Sequence, residues 1–100
     1  MGGNDSNVLL TLDIDIVAAN AGDIKSKLKD AITDDMDSLV LDFNKVDQVD
    51  SVGMGVLIAT FNSLKKKGKG FKITGVDEKI YDLFQVMRLN KHFEIEVKEA

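Results

Sequence analysis

The sequence predicts one α/β domain built on a mainly parallel sheet of four strands, or slightly more, with helices packed on it. Two observations predict this fold class. Short apolar runs typical of strands alternate with longer segments of helical periodicity, in the order βαβαβαβ. Strands that are separated by helices of this length need crossover connections, and such connections place neighbouring strands parallel.

The first strand is predicted within 8–17, and a helix is predicted to follow it over about 21–34. In the strand, apolar side chains at every second position alternate with polar ones, which is the pattern of a strand buried on one face. Asn20 is a favourable N-cap for the helix, and Asp23 stands three residues later, in the position of a capping box.

The middle of the chain predicts a buried strand, a loop and a second helix. Residues 38–43 are nearly all apolar, as in a strand that is covered on both faces. The loop 44–50 follows, with Val46 and Val49 as inward-facing side chains. From Ser51 onward the apolar side chains share one face of a helix, namely Met54, Leu57, Ile58, Phe61 and Leu64.

A third strand, a third helix and a last strand complete the pattern. Residues 71–74 form the strand, and Asp77 caps a helix that Asn90 can end. Residues 92–97 alternate apolar and charged side chains, which is typical of an edge strand. The buried stripe of the third helix is predicted to contain Ile80, Leu83, Phe84 and Met87.

Composition excludes several classes of function. The net charge of −4 is a poor match for a phosphate backbone, so no direct binding to nucleic acid is expected. The chain has no cysteine and one histidine, which excludes disulfides and a multi-histidine metal site, and no cofactor is expected. No apolar run has the length of a membrane span and no secretory signal is present, so a cytoplasmic protein without membrane insertion is expected. Residues 1–7 are small and polar and are predicted to be flexible, which leaves 8–97 as the domain.

The residues do not form the constellation of an enzyme. Ser51 with His92 would need a third group to orient the histidine and an oxyanion hole, and nothing in the spacing suggests them. The aspartates near strand ends are expected to cap turns or to face solvent. A receiver domain phosphorylated on aspartate would need an acidic pair after the first strand and a Lys-Pro pair, and the chain has no proline. We therefore expect a binding protein and no enzyme.

Ser51 stands where the loop becomes the second helix, and two uses of this position remain open. The first N–H groups of a helix have no partners inside it, and the helix dipole adds positive potential there. The hydroxyl can cap the helix, or it can carry a phosphate that those N–H groups hold. Gly53 and Gly55 cost about 1 kcal/mol each in helix propensity, so a close approach to a strand, a partner or a phosphate is expected. For Gly55, packing of the helix on the sheet is at least as good an interpretation as a functional role.

Leu41-Asp42-Phe43 and, after a spacer, the stretch from Val49 to Leu57 resemble the STAS domain, the fold of anti-sigma-factor antagonists. The resemblance covers about 8–96. The family has an apolar-Asp-Ser-x-Gly-apolar-Gly pattern at this place, and the serine directly after the aspartate is its phosphorylated residue. The resemblance therefore implies Ser51 as the phosphorylation site. It also implies a partner-binding surface formed by Asp15, Asp50, Ser51, Val52, Gly53, Met54 and Gly55.

The resemblance implies a partner switch. The unphosphorylated antagonist binds an anti-sigma factor, which is a serine kinase; phosphorylation separates the two proteins, and a phosphatase resets the cycle. The chain departs from the family at an early Gly-Glu-Leu-Asp motif, because Ile14 and Val17 stand in place of its glycine and final aspartate. The alternative is a STAS subunit of an ABC lipid-transport complex, or another signalling module, that binds its partner without a phosphoswitch.

Overall fold

Four strands form one sheet in the computed structural model of the protein, which describes residues 6–98. Their order is the order of the sequence, and every neighbouring pair is parallel. This confirms the predicted fold class. The strands are β1 (Asn7–Thr11), β2 (Ser38–Asp42), β3 (Gly70–Val76) and β4 (Glu94–Val97), and the helices are α1 (Ala21–Ala31), α2 (Ser51–Lys66) and α3 (Glu78–Val86).

The three helices cover one face of the sheet. Crossovers between parallel strands are right-handed, so a sheet whose strands follow the order of the sequence receives all its helices on the same face. On that face Leu41 and Ile73 are fully buried, whereas on the other face Leu9 is 64% exposed and Val40 is half-buried. The prediction that β2 is covered on both faces is therefore wrong for its second face, which is only partly covered.

The first strand is shorter than predicted. Its ladder to β2 ends at Thr11, and the chain from Leu12 to Val17 makes only an isolated bridge between Ile16 and Val49. Leu12 and Ile16 are buried, whereas Ile14, which the alternation places on the same side, is only half-buried. The alternation of the sequence therefore indicates the side that faces the core, but it shows neither how deeply each residue is buried nor where the ladder to β2 ends. Five of the residues predicted to be flexible, 1–5, lie outside the described residues, and Asn7 is already paired in β1.

The predicted cap of the first helix is wrong. Asn20 makes no side-chain hydrogen bond to the helix, and its Nδ2 donates instead to the carbonyl oxygen of Asp15, at 2.9 Å. A 3-10 turn, Ala18–Asn20, leads directly into α1, so the first N–H groups of the helix do not need the side chain of Asn20. The helix ends at Ala31, three residues earlier than predicted.

The third helix is capped as predicted but ends early. The carboxylate of Asp77 accepts from the N–H of Lys79 at 2.8 Å. The helix stops at Val86 because Arg88 is in the left-handed region, with φ at 61°. A 3-10 turn, Leu89–Lys91, then carries the chain past Asn90, and β4 begins only at Glu94. β4 lies at the edge of the sheet, as predicted.

α2 is the central helix of the core. Leu57 and Leu64 are fully buried and Thr60 is 8% exposed, and at about 100° per residue the buried side chains of α2 share one broad face of about 160°. In the core beside it, the rings of Phe43 and Phe84 lie 6.4 Å apart. α2 is therefore held on the core through this one face.

Truncation of Leu57 tests this central role. We expect Leu57→Ala to lower the free energy of unfolding by about 2–5 kcal/mol, because it leaves a cavity in place of a fully buried side chain. Leu9→Ala is the matched control, since this leucine is mostly exposed on the open face of the sheet, and its cost should stay below about 1 kcal/mol. Urea unfolding followed by circular dichroism measures both. Equal costs would contradict the assignment of the core.

Candidate functional site

Two loops meet at the carboxyl edge of the sheet. One follows β1 and the other follows β2, and because the strands are parallel both loops leave the sheet at the same edge. The N–H of Ile16 donates to the carbonyl of Gln48 at 2.9 Å, and the N–H of Asp50 donates to the carbonyl of Ile16 at 3.1 Å. The loops are therefore joined by backbone hydrogen bonds just before α2 begins.

Asp50 caps α2 and also holds the neighbouring loop. One carboxylate oxygen accepts from the N–H of Gly53 at 2.8 Å, and the other accepts from the N–H of Ala18 at 2.9 Å. These hydrogen bonds, that from Gly53 first, favour the charged carboxylate and lower the pKa of Asp50 below its ordinary value. One ionised side chain thus links the start of α2 to the segment before α1.

Ser51 is not the cap of the helix. It is the first helical residue and its side chain is exposed, whereas Asp50 before it has the extended backbone of an N-cap. The N–H group of Gly53, one of the first in the helix, is already bonded to the Asp50 carboxylate. Of the two uses that the sequence left open for the Ser51 hydroxyl, capping is therefore wrong.

Asp15 is also committed to the structure of the two loops. One oxygen of its carboxylate accepts from the N–H groups of Asp47 and Gln48, at 3.0 and 3.2 Å. This places Asp15 beside the same loop junction as Asp50. The structure thus brings together the two aspartates that the sequence assigned to the partner-binding surface, and it shows each of them bonded to backbone.

The two glycines of the first turn have different environments. A Cβ added to Gly53 would lie 1.8 Å from the carbonyl oxygen of Ile16, so the helix crosses that backbone at a distance only glycine allows. A Cβ added to Gly55 would meet nothing within 4 Å, and Gly55 is exposed. Close packing on the backbone of Ile16 therefore explains Gly53. The packing interpretation of Gly55 is wrong.

An open groove runs beside Ser51, between α2 and α3. Its volume is about 320 Å³, and its surface is mostly apolar. Met54 is buried at its floor. Val52, which follows Ser51 in the first turn of α2, is 49% exposed and does not line the groove. The lining residues are Val49, Asp50, Ser51, Met54, Gly55, Ile58, Leu83 and Met87.

Sequence reasoning missed the contribution of α3 to this groove. Leu83 and Met87 are 37% and 49% exposed, although their helical spacing predicted that they are buried with Ile80 and Phe84. An apolar stripe on a helix can be wider than the core that covers it, and the spacing does not show which edge of the stripe is left uncovered. The four residues span about 100° of the helix, an ordinary width for a core-facing stripe, so nothing in the sequence indicates that Leu83 and Met87 are exposed.

Residues considered for catalysis or metal binding are not brought together. The ring of His92 lies 6.0 Å from that of Phe61, and Phe61 is about 15 Å from Ser51 along α2 at 1.5 Å per residue. Within residues 6–98 no three of the histidine, aspartate or glutamate side chains are grouped so that they could hold a metal ion.

No helix in that part of the chain is long and apolar enough to span a membrane.

Comparison with known proteins decides the family. The family model of the STAS domain matches residues 1–100. The chain belongs to the STAS domain family. The anti-sigma-B factor antagonist of Bacillus subtilis (strain 168) is 30% identical over 95 residues, which cover 95% of this chain and 84% of that protein.

Solved structures share the fold of this STAS domain. A candidate anti-sigma factor antagonist of Thermotoga maritima superposes with a TM-score of 0.84 at 21% identity, over 93% of this chain and 80% of the other. A sulfate transporter family protein of Wolinella succinogenes superposes with a TM-score of 0.75 at 15% identity, over 93% of this chain and 78% of the other. At these identities the likeness shows the fold alone.

The two glycines of this STAS domain predict opposite effects for the same substitution. Gly53→Ala should destabilise the domain by about 1–3 kcal/mol, because the added methyl group collides with the Ile16 carbonyl. Gly55→Ala should stabilise it by up to about 1 kcal/mol, because alanine favours the helix and the methyl group enters open space. The two unfolding midpoints in urea measure the effects, and a stabilising Gly53→Ala would contradict the close approach.

The lowered pKa of Asp50 predicts a dependence of stability on pH. A carboxylate with a lowered pKa in the folded state adds stability above its ordinary pKa, and this stability is lost as the pH falls through the folded value. Asp50→Asn removes the titrating carboxylate. It also leaves either the Gly53 or the Ala18 N–H group facing the NH₂ of the new amide, which cannot accept a hydrogen bond. The wild type should therefore be more stable than the variant at about pH 5, and the difference should shrink by about pH 2.5. A difference that is equal at both pH values would contradict the assignment.

Proposed function

We propose that this STAS domain is an anti-sigma-factor antagonist that binds an anti-sigma factor serine kinase and releases it when Ser51 is phosphorylated. The observation that carries the proposal is the division of roles at the start of α2. Asp50 caps the helix, so the exposed Ser51 hydroxyl is not needed to cap it. The similarity to the Bacillus subtilis anti-sigma-B factor antagonist supports the same role.

A phosphate on Ser51 would act on the interface rather than on the fold. It adds a charge of about −1.5 to −2, directly beside the carboxylate of Asp50. That carboxylate already takes the Gly53 N–H, so the phosphate is not drawn onto the helix end and stays at the surface. If repulsion and desolvation cost about 3 kcal/mol, the affinity for the partner falls about 150-fold.

The surface around Ser51 suits a docking protein. Gly55, one helical turn after Ser51, is exposed and has no side chain, so a partner backbone can approach closely there. The exposed side chains of Leu83 and Met87 in the groove provide apolar contact area, and the exposed Val52 in the first turn of α2 adds to it. Asp15 and Asp50 contribute by holding the loops beneath this surface, while Gly53 and Met54 lie buried under it. A phosphatase that removes the phosphate would restore binding, and the cycle would run in the cytoplasm, where ATP is available to the kinase.

The alternative is a STAS subunit that binds constantly, for example in an ABC lipid-transport complex. In that interpretation Ser51 serves only as the helix cap. Since Asp50 is the cap, the alternative leaves the exposed serine without a role. The likeness to a sulfate transporter family protein is a likeness of fold and does not favour the alternative.

The proposal predicts different behaviour for two variants of Ser51. Ser51→Ala should fold and retain the partner, because the hydroxyl has no duty in the cap. Ser51→Asp should also fold, since an acidic residue suits the first turn of a helix, but it should bind the partner about 100-fold more weakly. Capture of an anti-sigma factor from a lysate of the host, followed by titration with that protein, measures both.

Ser26→Asp is the matched control, because this serine is exposed on α1 and lies outside the groove. It should bind as the wild type does. A partner that binds Ser51→Asp and Ser51→Ala equally well would contradict the phosphoswitch. A transporter ATPase captured equally by all variants would support the alternative.

A further inference from the structure

A second groove lies on the other side of α2, between that helix and α1. Its volume is about 480 Å³, and it is open rather than enclosed. Its floor is formed by buried or half-buried side chains of both helices, Leu28, Ile32, Val56 and Thr60. The Thr60 hydroxyl donates to the carbonyl of Val56 at 2.8 Å, so the floor offers no free polar group of its own.

Three lysines stand at the rim of this groove. Lys25 and Lys29 lie one turn apart on α1, and Lys67 lies across from them at the end of α2. All three are exposed. In the described part of the chain, residues 6–98, the ion pairs are those of Lys72 with two glutamates of β4, so these three lysines have no acidic partner there. The groove is therefore basic in a protein whose net charge is −4.

The acidic residues of α1 face away from the groove. Successive residues of a helix are rotated by about 100°, which places Asp23 and Asp30 on the side opposite Lys25 and Lys29. Lys27 also lies on that opposite side. The arrangement thus combines an apolar floor with a one-sided basic rim, and nothing on the same helix face neutralises the charge.

We propose that this groove docks an amphipathic helix of a partner protein, whose apolar stripe is flanked by acidic side chains. A groove between two helices accepts the apolar face of a third helix. Acidic side chains beside that stripe would meet the lysines of the rim, which gives the complementary charge that steers and orients association. A lipid or fatty acid fits less well, because apolar small-molecule sites bury most of their ligand in a concave cavity and this groove is open.

The test uses a designed peptide and two variants of α1. The peptide has about 18 residues, blocked ends and leucines every three or four positions with flanking glutamates; its counterpart has lysine in place of every glutamate. Binding is followed by amide chemical shifts in NMR and by fluorescence anisotropy. Lys29→Glu reverses a charge at the rim, and Lys27→Glu makes the same change on the opposite side of the same helix.

The acidic peptide should shift the amides of 25–32 and 56–67, and the basic peptide should not. The affinity for the acidic peptide should fall about tenfold in Lys29→Glu and less than twofold in Lys27→Glu. The Ser51→Asp variant should bind the acidic peptide as the wild type does. Equal losses in the two lysine variants, or no shift with the acidic peptide, would overturn the proposal. Shifts of the same amides by laurate but not by the peptide would overturn it in favour of an anionic amphiphile.

Discussion

The carboxylate of Asp50 is the contact on which the arrangement of the site depends. It accepts one N–H group from the start of α2 and one from the segment that leads into α1, so it joins two parts of the chain that are 32 residues apart. The backbone bonds between Ile16 and the loop before Asp50 reinforce the same junction. With the loops held in this way, α2 crosses the Ile16 carbonyl so closely that position 53 must be glycine. The direction of α2, and hence both grooves along its flanks, follows from this crossing.

At the start of α2, some residues therefore stabilise the fold while their neighbours are exposed and have no structural role. Asp50 and Gly53 serve the fold, one as acceptor for two N–H groups and the other by leaving room for a neighbouring carbonyl. Ser51 and Gly55 lie one turn apart on the exposed side and serve neither purpose. A glycine in a helix costs stability unless something compensates, and at Gly55 nothing inside the domain does. The cost of Gly55 in helix stability, next to a serine with no structural role, favours a surface that lacks a side chain at this position so that a partner can approach closely.

Much of this arrangement could be predicted from the sequence. The order of strands and helices, the parallel sheet, the cap at Asp77 and the buried side chains of α2 follow from periodicity and from turn chemistry. The cap of α2 could not be assigned, because Asp50 and Ser51 are both good caps and only the backbone shows that Asp50 is the extended residue before the first turn, with φ −104° and ψ −177°. The groove beside α3 was missed because spacing places Leu83 and Met87 on an apolar stripe without showing how far the core extends over it. The first error concerns which of two adjacent residues precedes the helix, and the second concerns how far the core covers one face of a helix.

The two flanks of α2 differ in charge and lie on opposite sides of the helix. Ser51 and Lys67 are separated by 16 residues, or about 24 Å of helix at 1.5 Å per residue. The Debye length at physiological ionic strength is about 8 Å, so the field of a phosphate on Ser51 is strongly screened at Lys67. The two proposed surfaces share no residue, so one small domain could keep a contact at the basic groove and switch another on the opposite side of α2.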